Sequence, residues 1–391
     1  MKRMPKLLLG LLVALPTLAA AQGLTMQMSN GWKFSFAGNV NAFAVFTANA
    51  NGGQKNFAIR TGLLPGFAVF EAKGHEGNYD LGVHVGFAPQ IQTGGAHDNP
   101  VGAQIDMRQF YMTVGMKNGS QVLAGRELGV FLRQNLLNDM TLYGTGAQGG
   151  VQARGTTLGR IGYGYLYPNF NAQITYSTTA AKPTQFTVGL FQPSAFNPPG
   201  PSNFPETELP RVEGEVTHAI KRGGGKTATL WVNGEWQSTK TAPTGGTSLS
   251  SLGVGAGVRA DLTAQINLTV AGYYTKAVGT LLQFDGLAVA VDGTHGRPDE
   301  GGYVQLMYKV NPTTDLGASF GISELKGAGA ASSDGNSNSI AHLASYTVGY
   351  YHNMTKSLKA VLEGTKEINT YGGAFAGLNR IDVSAGLMLF F

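Results

Sequence analysis

The last twelve residues, Arg380-Ile381-Asp382-Val383-Ser384-Ala385-Gly386-Leu387-Met388-Leu389-Phe390-Phe391, decide how the rest of the chain is read. On an extended backbone Ile381, Val383, Ala385, Leu387, Leu389 and Phe391 share one face, and Arg380, Asp382, Ser384 and Gly386 share the other. Alternation with period 2 is the mark of a β-strand with one dry and one wet side. The same pattern runs through Trp32, Phe34, Phe36 and Val40, interleaved by Lys33, Ser35 and Asn39. It returns at Val212, Gly214, Val216 and Ile220 against Arg211, Glu213, Glu215 and Thr217, and at Val304, Leu306, Tyr308 and Val310 against Gln305 and Lys309. A charge at every second position cannot line a sandwich core, so one face of this sheet must meet water.

Composition narrows the class. Glycine supplies 57 of 391 residues, roughly twice average usage, and charged residues make up 13%, about half of it. The absence of cysteine excludes a disulfide scaffold, a thiolate zinc site and a cysteine nucleophile. With 20 Phe, 15 Tyr and 3 Trp the chain is too rich in aromatics to stay disordered. Lys2, Arg3 and Lys6 precede the apolar run Leu7 to Leu18 and then Ala19-Ala20-Ala21, which reads as a signal peptide over residues 1–21 followed by one unit over 22–391. Those first residues hold three of the 28 bases and none of the 23 acids, so the remainder carries 25 against 23. The basic balance therefore belongs to the leader, and no clustered basic face points to nucleic acid as a partner. No other stretch reaches the roughly 18 apolar residues of a spanning helix. An exported β-protein, secreted or in the outer membrane, remains.

The connections separate the two. Short polar turns at 117–120, 222–225, 261–264, 311–314 and 353–356 alternate with longer connections near 91–103, 128–168, 193–210, 239–251, 277–300, 325–341 and 369–378. Short turns at one end and long loops at the other are the pattern of an outer-membrane barrel, whose outward residues face lipid. The strands read as 32–48, 56–74, 79–90, 104–116, 121–127, 169–179, 184–192, 211–221, 226–238, 252–260, 265–276, 301–310, 315–324, 342–353, 357–368 and 379–391. The fold class is thus all-β, a transmembrane antiparallel barrel of about 16 strands. Pro65 must mark a bulge or split the second strand. Leu128 to Met140 is the best helical stretch and is short. A barrel of this size is too wide for wall side chains alone to fill, so it encloses water.

The segment Arg108-Gln109-Phe110-Tyr111-Met112, continuing through Gly115-Met116-Lys117-Asn118-Gly119 to Leu123-Ala124-Gly125-Arg126, resembles the hairpin before the third external loop of the general bacterial porin family. The terminal Phe391 resembles the family's last residue, which is read as an assembly signal by the barrel-assembly machinery. The resemblance implies a homotrimer, a third loop at about 128–168 folded into the lumen, and passive diffusion of small hydrophilic solutes and ions across an outer membrane. The family's acidic loop motif is absent: residues 128–168 hold Arg133, Arg154 and Arg160 against the single acid Asp139. A constriction of Arg60, Arg108, Arg126, Arg133 and Asp139 then predicts a weak anion preference. Lys33, Arg211, Glu213, Glu215, Trp231, Glu235, Arg259, Lys309, Lys359 and Arg380 fall on the wet face as the remaining lumen lining.

Other chemistry finds little support. The seven histidines show no zinc-ligand spacing, and Asp334-Gly335-Asn336-Ser337-Asn338 lacks the sixth-position glycine and terminal Glu of a calcium loop, so no metal or cofactor is expected. Gly253, Gly255 and Gly257 sit in an alternating strand, without the helix that a phosphate loop needs. Trp231, Trp236 and tyrosines 273, 274, 303, 308, 346, 350 and 351 read as an interfacial girdle; the alternative is a sugar-binding slide inside the lumen, for which Trp231, on the wet face by parity, is the best candidate, and a sugar-selective channel is the nearest competing function. A lipid hydrolase would need His218, on the lipid side, beside a serine of the next strand. A secreted solenoid would need a fixed repeat, and none is present. Close barrel contact is open to the small residues Ala37, Gly38, Ala42 and Ala44.

Overall fold

The computed structural model describes residues 24–49, 55–91, 105–148, 155–194, 207–240, 248–284, 287–290, 295–327, 341–371 and 379–391. The leader at 1–21, Arg154 and the Asp334 to Asn338 stretch lie outside them. In chain order the strands are β1 (Leu24–Gln27), β2 (Lys33–Asn49), β3 (Lys55–Arg60), β4 (Phe67–Glu76), β5 (Tyr79–Pro89), β6 (Ile105–Met116), β7 (Gln121–Leu128), β8 (Phe170–Ser177) and β9 (Thr184–Phe191). They continue as β10 (Arg211–Lys221), β11 (Thr227–Lys240), β12 (Ser248–Asp261), β13 (Ile266–Lys276), β14 (Pro298–Asn311), β15 (Thr314–Leu325), β16 (Ala341–Asn353), β17 (Leu358–Tyr371) and β18 (Arg380–Phe390). Every pairing is antiparallel, each strand with its chain neighbours, and β18 returns to β2 through Leu389↔Val40 and Ser384↔Val45. The sheet is closed, which removes its edges.

The eighteen segments make sixteen staves. On one side of β2, β1 covers Lys33 to Phe36 and β18 covers Asn39 to Asn49, so the two chain ends share a stave. Gly38 and Phe391 exchange backbone hydrogen bonds of 2.8 and 3.0 Å where these segments meet. On the other side β3 and β4 share a stave, interrupted over 61–66 around Pro65, which has no N–H to give the ladder. The β1 segment is the one strand missed by periodicity, because four residues are too few to show it. No helix among the described residues is long and apolar enough to cross a membrane.

Parity sorts the side chains. Phe57, Ile59, Ile174, Leu190, Val232, Val254, Val348 and Val383 stand outward and exposed, while Asn41, Thr175, Asn233, Thr347 and Ser384 point inward and are buried. The expected girdle is split by the same rule. Trp236, Tyr274, Tyr308, Tyr346 and Tyr350 are outward, but Trp231, Tyr273, Tyr303 and Tyr351 are buried inside.

Candidate functional site

What buries the inner wall is the connection between β7 and β8. From Gly129 it passes along β10 and β11, forms the short helix α1 (Arg133–Leu137) and a 3₁₀ turn at Met140–Tyr143, and reaches β17 and β18. Wall acceptors hold its backbone N–H groups one after another. Glu213 accepts from Val130 and Phe131 at 2.7 and 2.8 Å, and Asn233 from Leu132 at 3.2 Å. Gln305 accepts from Met140, Glu363 from Thr145 and Gly146 at 2.7 and 2.8 Å, and Glu367 from Gln148 at 3.0 Å. A loop inside a barrel has no ladder to satisfy its backbone, so these side chains take the place of one.

Glycines on the wall make the room. A Cβ at Gly253 would stand 2.5 Å from the Phe131 ring, and one at Gly255 would stand 2.5 Å from Leu132. At Gly317 it would meet the Met140 sulfur at 2.6 Å. The inward glycines of β12 and β15 are thus seats for loop side chains, which accounts for part of the high glycine content.

The lumen-lining acids are engaged differently from the reading of an open, wet wall. Glu215 takes Arg133 at 2.8 Å, and Glu213 takes Arg211 at 2.9 Å. Both pairs are fully or almost fully buried. Glu367 also accepts from the Tyr163 hydroxyl at 2.6 Å and lies 3.9 Å from Arg380. Glu235 is buried next to Glu213 in register. The water expected against this stretch of wall is replaced by the loop.

The predicted constriction residues do not form one charged ring. Arg60 is buried and donates to the loop carbonyls of Gln148, Gly155 and Thr156. Arg108 pairs with Asp106 at 2.9 Å, donates to the Tyr167 hydroxyl and lies over the Phe170 ring. It reaches inward because the register shifts there, with Gly86 opposite Gln109 but Phe87 opposite Met107. Arg126 is a correction: its register opposite Phe110 and Ala172 sets it on the outer face, exposed among apolar neighbours. Gly125, at φ +136°, immediately precedes it. Asp139 faces no arginine within ion-pair range among the described residues. It caps the 3₁₀ turn through the Thr141 N–H and hydroxyl, and accepts from Tyr165 at 2.8 Å, tying the outgoing limb of the loop to the returning one.

Arg160, read from sequence as one of the loop arginines, turns into the wall, while Glu363 and Glu367 were not singled out from sequence. Arg160 is fully buried and donates to Ser319 and Ser345 on β15 and β16. Glu363 and Glu367 on β17 hold the loop from the wall, through Thr145 and Gly146 for the first and Gln148 and Tyr163 for the second. Their spacing along an alternating strand was the available signal, but nothing in it says what faces them. Trp231 donates to Asn135 of α1 at 2.9 Å and is covered by the loop, so its ring is no open platform for sugars. The hydroxyl beside His218 belongs to Thr184 of β9, at 2.8 Å, and not to a serine.

Toward the short-turn end the wall changes character. Lys33, Lys73, Lys221, Arg259 and Lys309 point inward by register and are exposed. Lys359 lies 5.3 Å from the Tyr143 ring on the underside of the loop. The inward acids at this end are Glu71, which pairs with Lys73 and His84, Asp80, which pairs with His75, and Asp261 and Asp315.

No family model matches the chain, and no curated protein matches it. Solved structures do. The outer membrane channel DcaP of Acinetobacter baumannii is 15% identical over 94% of this chain and 99% of its own, with a TM-score of 0.68. The anion-selective porin from Comamonas acidovorans is 15% identical over 92% and 100%, with a TM-score of 0.64. A trimer form of OmpT, an outer membrane protein of Vibrio cholerae, is 12% identical over 92% and 99%, at 0.54. The fold is that of the Gram-negative outer-membrane porins, a closed 16-stranded barrel.

Proposed function

With the porin fold as premise, we propose that the chain is a water-filled channel of a bacterial outer membrane, exported by its leader, through which small hydrophilic solutes and ions diffuse, with a weak preference for anions. The short turns face the periplasm and the long loops face outward. The observation that carries the charge preference is the unequal fate of inward charges. Glu213, Glu215, Glu363 and Glu367 are buried against the loop, whereas Lys33, Lys73, Lys221, Arg259 and Lys309 remain in contact with solvent. Set against the four inward acids at the same end, Glu71, Asp80, Asp261 and Asp315, these five bases leave a small positive balance, and in a low-dielectric tube that balance concentrates anions weakly. The arginines first assigned to the constriction contribute less, since Arg60 and Arg133 are buried against partners and Arg126 is outside.

A homotrimer is part of this reading. Phe36 on the outer face stacks on Phe70 at 4.8 Å and lies 5.4 Å from Phe391, giving an aromatic patch where the chain ends meet. Phe391 is also assigned as the assembly signal, accessible on that face until the barrel closes. No cofactor or metal enters the mechanism.

Planar-bilayer recording of the refolded protein in potassium chloride tests the proposal, with the zero-current potential read across a salt gradient. Conductance in groups of three steps and a potential of anion-selective sign are expected. Cation preference under every salt condition would refute the charge argument, and folded, heat-modifiable protein that never conducts would refute the channel.

A further inference from the structure

The connection from β13 to β14, residues 277–297, reads as an external loop but has the composition of a core. Leu281, Leu282, Phe284, Leu287 and Val289 make it apolar, which a loop running over the surface has no need to be. It turns inward. Ala277, Phe284, Ala288 and Val289 are buried together with Leu249 on the inner face of β12. The Arg211 guanidinium lies 5.3 Å from the Phe284 ring and 5.6 Å from that of Phe191 on the wall. Its height follows from the register. Leu249 is four residues along β12 from Gly253, the seat of Phe131, on the long-loop side, a rise of about 13 Å. Arg211 is likewise one inward position outside Glu213, which holds the root of the β7–β8 loop. The β13–β14 connection is therefore stacked on the outer side of the β7–β8 loop.

The two loops are joined. Tyr167, on the returning limb of the β7–β8 loop, donates its N–H to the Leu281 carbonyl at 2.9 Å and forms a bridge with Leu282. Gly162, at φ +77°, has the Leu281 side chain where a Cβ would stand. Leu287 packs against the cluster of Ala147, Tyr163, Leu325 and Leu343, which carries the same connection across to β15 and β16. The Tyr167 hydroxyl accepts from Arg108, so contacts run without a break from this connection to β6. Leu282 stands 45% exposed beside that bridge.

We propose that the β13–β14 connection is a second constriction, in series with the β7–β8 loop on its outer side, and that it limits the size of solutes before they reach the inner loop, with Leu282 lining the passage. Pore selectivity follows diameter as well as lining charge, and an apolar segment held in the lumen by burial narrows the way without adding charge. This role rests on the channel reading above and adds to it a second determinant of solute size.

Shortening the connection tests it. Ala277 donates to the Arg297 carbonyl at 2.9 Å, so the ladder of β13 and β14 continues to that pair, and Asn-Gly can replace residues 279–295 as a two-residue turn between Val278 and Gly296. Single-channel conductance of the refolded full chain in potassium chloride should rise, and liposome swelling should admit larger sugars than the parent does. Heat-modifiable migration shows whether the shortened barrel has closed. If it has not, a second variant decides. The chain has no cysteine, so Leu282→Cys carries a single thiol, and a bulky, charged methanethiosulfonate reagent should lower the conductance of that variant in steps while leaving the parent unaffected. A closed, shortened barrel with the parent's conductance and size limit overturns the proposal. So does a Leu282→Cys thiol that stays unlabelled, or that is labelled with no loss of conductance. Folded parent protein that never conducts would refute the channel itself, separately from this role.

Discussion

Strand β17 carries two opposite environments on one face. Glu363 and Glu367 are buried, with loop N–H groups on their oxygens, while Lys359, on the same face nearer the turn, sits under the Tyr143 ring at the solvent-facing edge of the loop. Strand β12 repeats the contrast, with Gly253 and Gly255 seating Phe131 and Leu132 and Arg259 standing exposed below. On these two strands the covered inward positions hold acids or glycines, and the uncovered ones hold bases. A lumen charge sets ion preference only if solvent reaches it, so counting inward acids and bases from sequence mixes two populations with different work.

Four variants sharpen or break that contrast. Glu213→Ala should have the largest effect, because it frees two loop N–H groups and leaves Arg211 buried without its carboxylate. A loss of about 3–5 kcal/mol in urea unfolding of the refolded barrel is expected, with higher conductance as the loop root loosens. Replacing both partners, Arg211→Met with Glu213→Leu, should cost less, since the guanidinium is no longer stranded, while the Val130 and Phe131 N–H groups stay without their acceptor and Glu235 loses the cation beside it. If the double variant is as unstable as the single one, the loss comes from the loop contacts and not from the stranded charge.

Lys309→Glu should act on permeation and hardly on folding. The zero-current potential should move toward cation preference, with stability within about 0.5 kcal/mol of the parent. A potential that does not move would show that the exposed basic band does not set selectivity. Arg126→Leu should do least. Its side chain is outside, so the potential should stay in place and stability should change by about 1 kcal/mol or less, in favour of the folded barrel. A shift in potential as large as that of Lys309→Glu would mean that Arg126 reaches the lumen.

Much of the architecture was legible because a strand's period and a barrel's turn alternation are local properties. Sixteen staves, the break at Pro65 and the inward face of Arg211, Glu213, Glu215, Trp231, Glu235, Arg259, Lys309, Lys359 and Arg380 follow from parity alone. Parity failed where the strand is not regular. Arg108 reads correctly only because a register shift sits beside it, and Arg126 points outward on a strand too short for its pattern to settle the face.

What the sequence determined by itself was which side chains share a face and that one face must meet water, because alternation is fixed residue by residue. Only the tertiary structure decided which of those wet-face residues keep their water. That depends on the path of residues 129–148 and 155–169 across the lumen, brought within hydrogen-bond range of strands up to 239 positions away. Contacts at that separation leave no periodic trace. Glu363 and Lys309 look alike as charges on an alternating strand, and differ only in that a loop N–H reaches one of them.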